Sequence, residues 1–170
     1  EPVRDGAPEI AAQILHAVAN GPATGAASTV VTGNGPIKTV ANRDVSNHRF
    51  EHRGLLHCEI DVPGCDRPVQ AVCVHLSLHA RGRRRQLETL SEHLSAHVAP
   101  GGPLIVAGDF NDWRHAASCS LSASLGLHEV SIESSGKPAR TFPSLLPFLR
   151  LDRIYVRGFK VNNAQVLHGP

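Results

Sequence analysis

The sequence predicts an α/β sandwich built from two packed sheets, and three observations carry that reading. Runs such as Ala71-Val72-Cys73-Val74 and Leu104-Ile105-Val106-Ala107 are apolar at every position, so a strand made from them needs cover on both faces. An amphipathic helix lies between those runs, with Leu87, Leu90, Leu94 and Val98 as its buried stripe, and it supplies cover on one side. A second sheet is the natural cover on the other. Composition agrees: the chain has 170 residues, 41% hydrophobic and 19% charged. A chain of this size buries about two thirds of its extended surface, enough for a core without disulfides. A single domain is expected, with residues 53–169 carrying most of the signal.

The elements follow in order. Residues Pro8 to Ala19 read as a helix, because Ile10, Ile14, Leu15 and Val18 recur at helical spacing and Asn20-Gly21 stops it. Residues Gly21 to Asn47 are rich in Gly, Thr, Asn, Ala and Ser, and only Thr29 to Thr32 reads as a short strand there. Leu55 to Val62 and Val69 to Leu78 are strands joined across Pro63-Gly64, and so form an antiparallel pair. The basic run Arg81-Gly82-Arg83-Arg84-Arg85 leads into the amphipathic helix, which ends near Val98 before Pro100-Gly101-Gly102. Leu104 to Ala107 is a buried strand. Ala117 to Leu125 is a short helix ended by Gly126. Thr141 to Pro147 is irregular, and Leu151 to Val156 and Val161 to Leu167 are the last two strands.

Charge and cysteines exclude several classes. Seventeen basic and fifteen acidic residues leave a net charge of +2, too little to demand a nucleic-acid partner. No apolar run is long enough to span a membrane. Cys58, Cys65, Cys73 and Cys119 form no C-x-x-C pair. They read as reduced, structural cysteines in a cytoplasmic chain. The chain starts at Glu1 and contains no Met, as expected of a processed product or a fragment.

The residues able to do chemistry cluster at strand ends. Asp109 and Asn111 follow the strand Leu104 to Ala107, and Gly108 lets a ligand approach the backbone. A carboxylate there can take a proton from water or bind a divalent metal, and the amide two residues on can donate to a phosphate oxygen. A polar turn with Asp as the next helix cap is the plainer alternative. His75 ends the strand Val69 to Leu78, where it can act as a general acid or stand as a satisfied core histidine. Asp152 shares a strand face with Ile154 and Val156, so it needs a partner: a catalytic imidazole, or Arg153 or Arg157 nearby. Arg81 to Arg85 could contact phosphates, although a solvated helix start explains them as well. His93 and His97, or His75 and His79, have zinc-like spacing but no third ligand. Trp113-Arg114 could line a cleft or merely pack.

Together, Arg53-Gly54-Leu55-Leu56, Val74-His75-Leu76, Gly108-Asp109-Phe110-Asn111 and Leu151-Asp152-Arg153-Ile154-Tyr155-Val156 resemble, in order and spacing, the endonuclease/exonuclease/phosphatase superfamily. The resemblance covers about residues 43–169, and the helix near the N-terminus resembles the family's first helix. It implies a four-layer α/β/β/α sandwich of two mixed sheets that hydrolyses phosphate esters, most of all phosphodiesters, with magnesium or manganese. It implies that His75 is the strand-end catalytic histidine and that Asp109 positions or activates the attacking water. Asn111 would hold the phosphate and, with Asp109, lie near the metal. Asp152 would brace a second histidine.

The chain departs from the family pattern in three places. The Asn of the first strand, the metal-binding Glu after the first helix, and the C-terminal Ser-Asp-His have no counterpart. Gln13 and His168 do not replace them. The sandwich is therefore expected to be incomplete at its N-terminal side and last strand, and the metal weakly bound. The alternative is an impaired or inactive remnant that binds phosphate-bearing ligands. Nucleic acid, a phospholipid head group and a small phosphodiester all fit as substrate, and a monomer is expected.

Overall fold

A computed structural model describes residues 37–46, 53–62, 65–112, 116–142 and 146–166. The helix expected at Pro8 to Ala19, the strand at Thr29 to Thr32, Trp113-Arg114 and His168 lie outside these residues. The described chain runs β1 (Ile37–Asp44), β2 (Gly54–Ile60), β3 (Val69–His75), α1 (Ala80–His97), β4 (Leu104–Asp109), α2 (Ala116–Leu125), β5 (His128–Glu129), α3 (Val130–Ser135) and β6 (Asp152–Arg157). The strands make one mixed sheet in the order β1-β2-β3-β4-β6-β5. Every neighbouring pair is antiparallel except β3 and β4. That parallel pair needs a crossover, and α1 is the crossover.

Side-chain alternation sorts the strands onto two faces. Leu55, Val72, Val74, Leu104, Val106 and Tyr155 point to the helices and bury against Leu87, Leu90 and Leu94 of α1 and Leu121 and Leu125 of α2. Cys58, Ile60, Val69, Ala71, Ile105 and Val156 form the opposite apolar face, which meets Val130 and the partly buried Phe159, Val161 and Ala164. The α/β class and the two-sided strands are as expected. Among the described residues the sheet is single, and the second face is where the sequence places a second sheet.

Several boundaries differ from expectation. β1 is a strand inside the stretch read as loop. β5 and α3 are additional short elements. Val161–Val166 is not a strand, because the chain leaves the sheet at Gly158, whose φ of 79° only glycine adopts readily. Within the stretch expected to be irregular, Phe142 pairs with Leu149 in an isolated antiparallel bridge. No disulfide joins the four cysteines, all of which lie among the described residues.

The helix side also carries a buried polar chain. His93 of α1 lies 2.9 Å (Nε2 to Nδ1) from His57 of β2, and His57 Nε2 lies 2.7 Å from Gln70 Oε1 of β3. Gln70 Nε2 donates to Glu59 Oε2 at 3.1 Å. A carboxylate only accepts, so Glu59 fixes the direction of the chain: Gln70 donates to Glu59, His57 to Gln70, and His93 to His57. His97 stacks on His93 with ring centroids 4.3 Å apart. Of the two histidines with zinc-like helical spacing, His93 is thus part of a hydrogen-bond chain, and the Nδ1–H of His97 donates to the His93 carbonyl at 2.8 Å. No group of three metal-binding side chains occurs among the described residues.

Candidate active site

His75, Asp109 and Asp152 are brought into one row by register alone. His75 pairs with Asp109 across β3–β4, and Asp109 with Asp152 across β4–β6. Paired residues project to the same face. The row therefore lies on the face opposite the helices, at one end of the sheet. His75 Nε2 is 3.7 Å from Asp109 Oδ2, and the two side chains are 46% and 31% exposed. Arg53, just before β2, reaches over the same spot, with Nη1 2.6 Å from His75 Nε2 and 3.1 Å from Nδ1.

The close fit of β3 to β4 depends on Gly108. Its φ is 141°, and a Cβ there would sit 1.9 Å from the Val74 carbonyl oxygen. The next residues turn sharply. Asn111 has φ 49°, a left-handed conformation that Asn tolerates better than most residues. Its backbone N–H donates to Asp109 Oδ1 at 2.8 Å, and its side-chain Nδ2 donates to the Leu76 carbonyl at 2.8 Å. Asn111 thus pins the loop after β4 to the loop after β3. One of its two amide N–H groups is engaged there, which leaves the second N–H and the amide oxygen for a ligand.

The electrostatics single out Asp109. Burial pushes its carboxyl up to about 6, and the Asp152 charge pushes the same way; the Asn111 backbone N–H and the Arg53 and Arg83 charges pull it down, but not enough to cancel the rise. Asp152 itself is exposed, so the burial penalty expected for it does not arise. Its backbone N–H donates to Thr141 Oγ1 at 3.1 Å.

Neither arginine suggested as its local partner serves Asp152. Arg153 points to the other face of β6. There Nη1 donates to Glu129 Oε2 at 3.1 Å and Nη2 donates to the Asp112 carbonyl. The Arg153–Glu129 pair is buried, its side chains 1% and 3% exposed. Arg157 donates to the carbonyls of Gly102, Leu125 and Ala99. Within the basic run, Arg83 is buried and donates to the Ser77 and Leu78 carbonyls. Arg81, Arg84 and Arg85 are exposed.

Sequence reasoning left three contributors without a role: Arg53, Asp112 and the Arg153–Glu129 pair. Asp112 is fully buried and accepts from the Ala117 N–H at 2.7 Å, capping α2. A charged residue inside a short strand, at odds with its apolar same-face neighbours, is the signal that would have found Arg153.

Hard oxygen donors suit magnesium, which is commonly held by one or two carboxylates, waters and substrate phosphate. Asp109 and Asp152 are paired in register and the Asp152 charge raises the Asp109 carboxyl, a repulsion that a divalent cation would relieve. Two carboxylates are donors of the kind such an ion takes.

Fold, motif order and this row define one class, and the chain belongs to the endonuclease/exonuclease/phosphatase family, whose model matches residues 5–170. Among individual proteins, it is 46% identical over 122 residues to YbhP of Escherichia coli K12, covering 72% of this chain and 48% of that protein. A UPF0294 protein of Vibrio cholerae is 42% identical over 67 residues, covering 38% of this chain and 22% of that protein. The chain thus spans about half the length of the YbhP relative or less of the other.

Solved structures share the fold. A truncated Caenorhabditis elegans TDP2 matches with a TM-score of 0.58 and 17% identity, over 77% of this chain and 56% of that one. A mannosyl-6-phosphatase of Bacteroides thetaiotaomicron matches with a TM-score of 0.58 and 14% identity, over 72% and 53%. Danio rerio TDP2, solved with a single-strand DNA product, matches at 0.54 and 17%, over 72% and 53%.

Proposed function

We propose that this chain carries the phosphate-ester hydrolysis site of a divalent-metal-dependent phosphodiesterase. The observation that supports this best is the row His75–Asp109–Asp152 with a half-buried carboxyl titrating at about 6. A base poised near neutral pH suits proton abstraction from water. Family membership and the phosphatase and TDP2 neighbours support the same reaction class.

In this mechanism the Asn111 N–H holds Asp109 Oδ1, so Oδ2 faces the row and takes the proton of the attacking water. Arg53 donates to the non-bridging oxygens, a clamp of the kind phosphoryl transfer needs, and His75, whose ring accepts from Arg53 in the free chain, donates to the leaving oxygen once the phosphate has taken Arg53 over. The Asn111 amide oxygen and Asp152 orient the water from the other side. Asp109, Asp152 and the Asn111 oxygen would hold magnesium or manganese, which supplies charge neutralisation at the phosphate when bound.

The absence of any three-ligand cluster among the described residues favours a second reading, an impaired site that binds phosphate but turns over slowly. Hydrolysis of bis(p-nitrophenyl) phosphate and plasmid DNA, with magnesium, manganese or EDTA, separates the two. Metal-dependent turnover that vanishes in Asp109→Ala supports the enzyme. Phosphate binding without turnover supports the remnant.

A further inference from the structure

Arg53 and His75 can serve one phosphate only at a fixed spacing, and the sheet ladder does not reach far enough to set it. The β2–β3 pairing brings them side by side, but it ends at Leu55–Val74, two residues short of Arg53 and one short of His75. Beyond that point the two strand ends are held from different sides. Arg53 is tied to the end of β1: Val45 N–H donates to the Arg53 carbonyl at 2.9 Å, and Arg53 N–H donates to Ser46 Oγ at 2.8 Å. The chain after His75 is tied to β4 and the loop that follows it. Leu76 N–H donates to the Asp109 carbonyl at 2.8 Å, and the Leu76 carbonyl accepts from the Asn111 amide at 2.8 Å.

Gln86 of α1 bridges the two sides. Its Oε1 accepts from the Ser77 N–H at 2.8 Å, and its Nε2 donates to the Val45 carbonyl at 2.9 Å. Ser77 lies just beyond His75, and Val45 is the residue bonded to Arg53, so one side chain spans the backbone segments that carry both groups. Gln86 is 2% exposed. Arg83, one turn earlier, is also buried and donates to the Ser77 carbonyl at 3.1 Å. The N–H and the carbonyl of Ser77 are thus both held by α1. Burying an amide and a guanidinium is costly unless their hydrogen bonds are made, and Leu87, Leu90 and Leu94 already pack α1 on the sheet. The two polar side chains therefore add position rather than cover.

We propose that Gln86 is a positioning residue for the phosphate clamp, a splint that sets the spacing of Arg53 and His75 so that both meet one phosphate. The reaction it serves rests on the phosphodiesterase reading. The plainer role is a fastener of α1 to the sheet, of the kind His93 provides through His57 further along the same helix. The two roles differ in how their loss combines with the loss of Arg53. A fastener's loss adds to it. A splint has little left to position once the Arg53 guanidinium is gone, so the two losses do not add.

The test is a double-mutant cycle of Gln86→Met and Arg53→Ala in the full chain. It is read twice: as kcat/KM for bis(p-nitrophenyl) phosphate with magnesium, and as affinity for inorganic phosphate in EDTA. Gln86→Met keeps the side-chain length and removes both bonds. Gln86→Leu is carried in parallel, so the result does not hang on the folding of one variant. Leu90→Val, a core change on the same helix, is the control for lost stability, and melting temperatures give the folded fraction. Gln86→Met should lower kcat/KM by about 10–10²-fold, the scale of a small misplacement at a reacting centre. Phosphate affinity should fall about tenfold, the worth of one hydrogen bond to a charged group. In the Arg53→Ala background the same change should cost about twofold or less in both readings, within the scatter of such cycles. Leu90→Val should leave both unchanged per folded molecule.

Losses that simply add around the cycle overturn the proposal. So do wild-type rate and phosphate affinity in both Gln86 variants, and so does an equal loss per folded molecule in Leu90→Val. A wild type that hydrolyses no diester with magnesium sinks the phosphodiesterase reading, and the phosphate cycle then decides on Gln86 by itself. A wild type that also binds no phosphate has no clamp to position, and both readings fall together.

Discussion

The two polar clusters of this sheet lie on opposite faces and are built on opposite rules. On the helix side, Glu59, Gln70, His57 and His93 form a directed chain in which each donor meets an acceptor. On the other side, His75, Asp109 and Asp152 stand side by side, two carboxylates and an imidazole with Arg53 over them. Burial acts on both. It lowers His93, helped by His97, His57 and Arg43, and so keeps it neutral in its chain. It raises Asp109 to about 6 and makes it a usable base. A chain of complementary partners settles into one protonation pattern and fastens α1 to the sheet. A row that leaves like charges adjacent stores a demand that a ligand can meet.

Four substitutions should break or sharpen that contrast. The largest effect is expected for Asp109→Ala, which should reduce turnover of a soluble phosphodiester by about 10²–10⁴-fold, the usual worth of a general base. In the unmodified, metal-free chain, magnesium binding should tighten as pH increases through about 6 and then level, because Asp109 must be ionised to take part. A flat profile between pH 5 and 7.5 would remove Asp109 from that role.

Gly108→Ala comes next, because it strikes between the clusters. The added Cβ meets the Val74 carbonyl oxygen at 1.9 Å from a backbone with φ 141°, so β3 and β4 must separate. A loss of at least about 3 kcal/mol is expected in urea unfolding, and a near-native midpoint would contradict the packing described.

His93→Leu should cost about 1–3 kcal/mol, because His57 Nδ1 loses its buried donor, while turnover per folded molecule stays unchanged. Its pH dependence has a definite sign. A histidine whose folded pKa is lowered contributes stability that is complete above its ordinary value of 6.5 and is lost as pH falls. Melting temperature should therefore drop less steeply below pH 6.5 in His93→Leu than in the wild type. The same slope in both would detach the chain from acid sensitivity.

The smallest effect has the opposite direction. A carboxyl with a raised folded pKa favours folding most below its ordinary value of 3.8, and that benefit is lost as pH rises through about 6. Asp109→Asn keeps the acceptor for the Asn111 N–H and removes the charge. It should raise stability at pH 8 by about 1 kcal/mol while abolishing turnover, the trade expected of a site held under strain. A lower melting temperature at pH 8 would count against the raised pKa.

Legibility in the sequence followed the strength of local signals. β2, β3, β4, β6 and α1 were readable because their apolar period is unambiguous and Gly or Pro bounds them. β1 was not. Its residues 41–44 are exposed on an edge strand with a single neighbour, so no apolar alternation marks it. β5 and α3 have two and six residues, too few for a period to register.

His75, Asp109 and Asp152 were legible because each sits at a strand end. Their alignment was not, since register is a property of pairing. Arg53 precedes its strand and reaches the row only through the β2–β3 pairing. Arg153 was readable in principle: alternation puts it on the face opposite Asp152, which excludes the local pair weighed for them.

The parallel pairing of β3 with β4 also bears on how the molecule assembles. The β1–β2–β3 meander and α1 are made of contacts close in sequence, and can form early at small loop-closure cost. His75 meets Asp109 only when α1 has folded back and β4 has slotted beside β3, and Asp109 meets Asp152 only after α2, β5 and α3 have been traversed. Such distant pairings close slowly. During refolding, helical signal should therefore return before hydrolytic competence, and the interval between them would time the closing of the centre of the sheet.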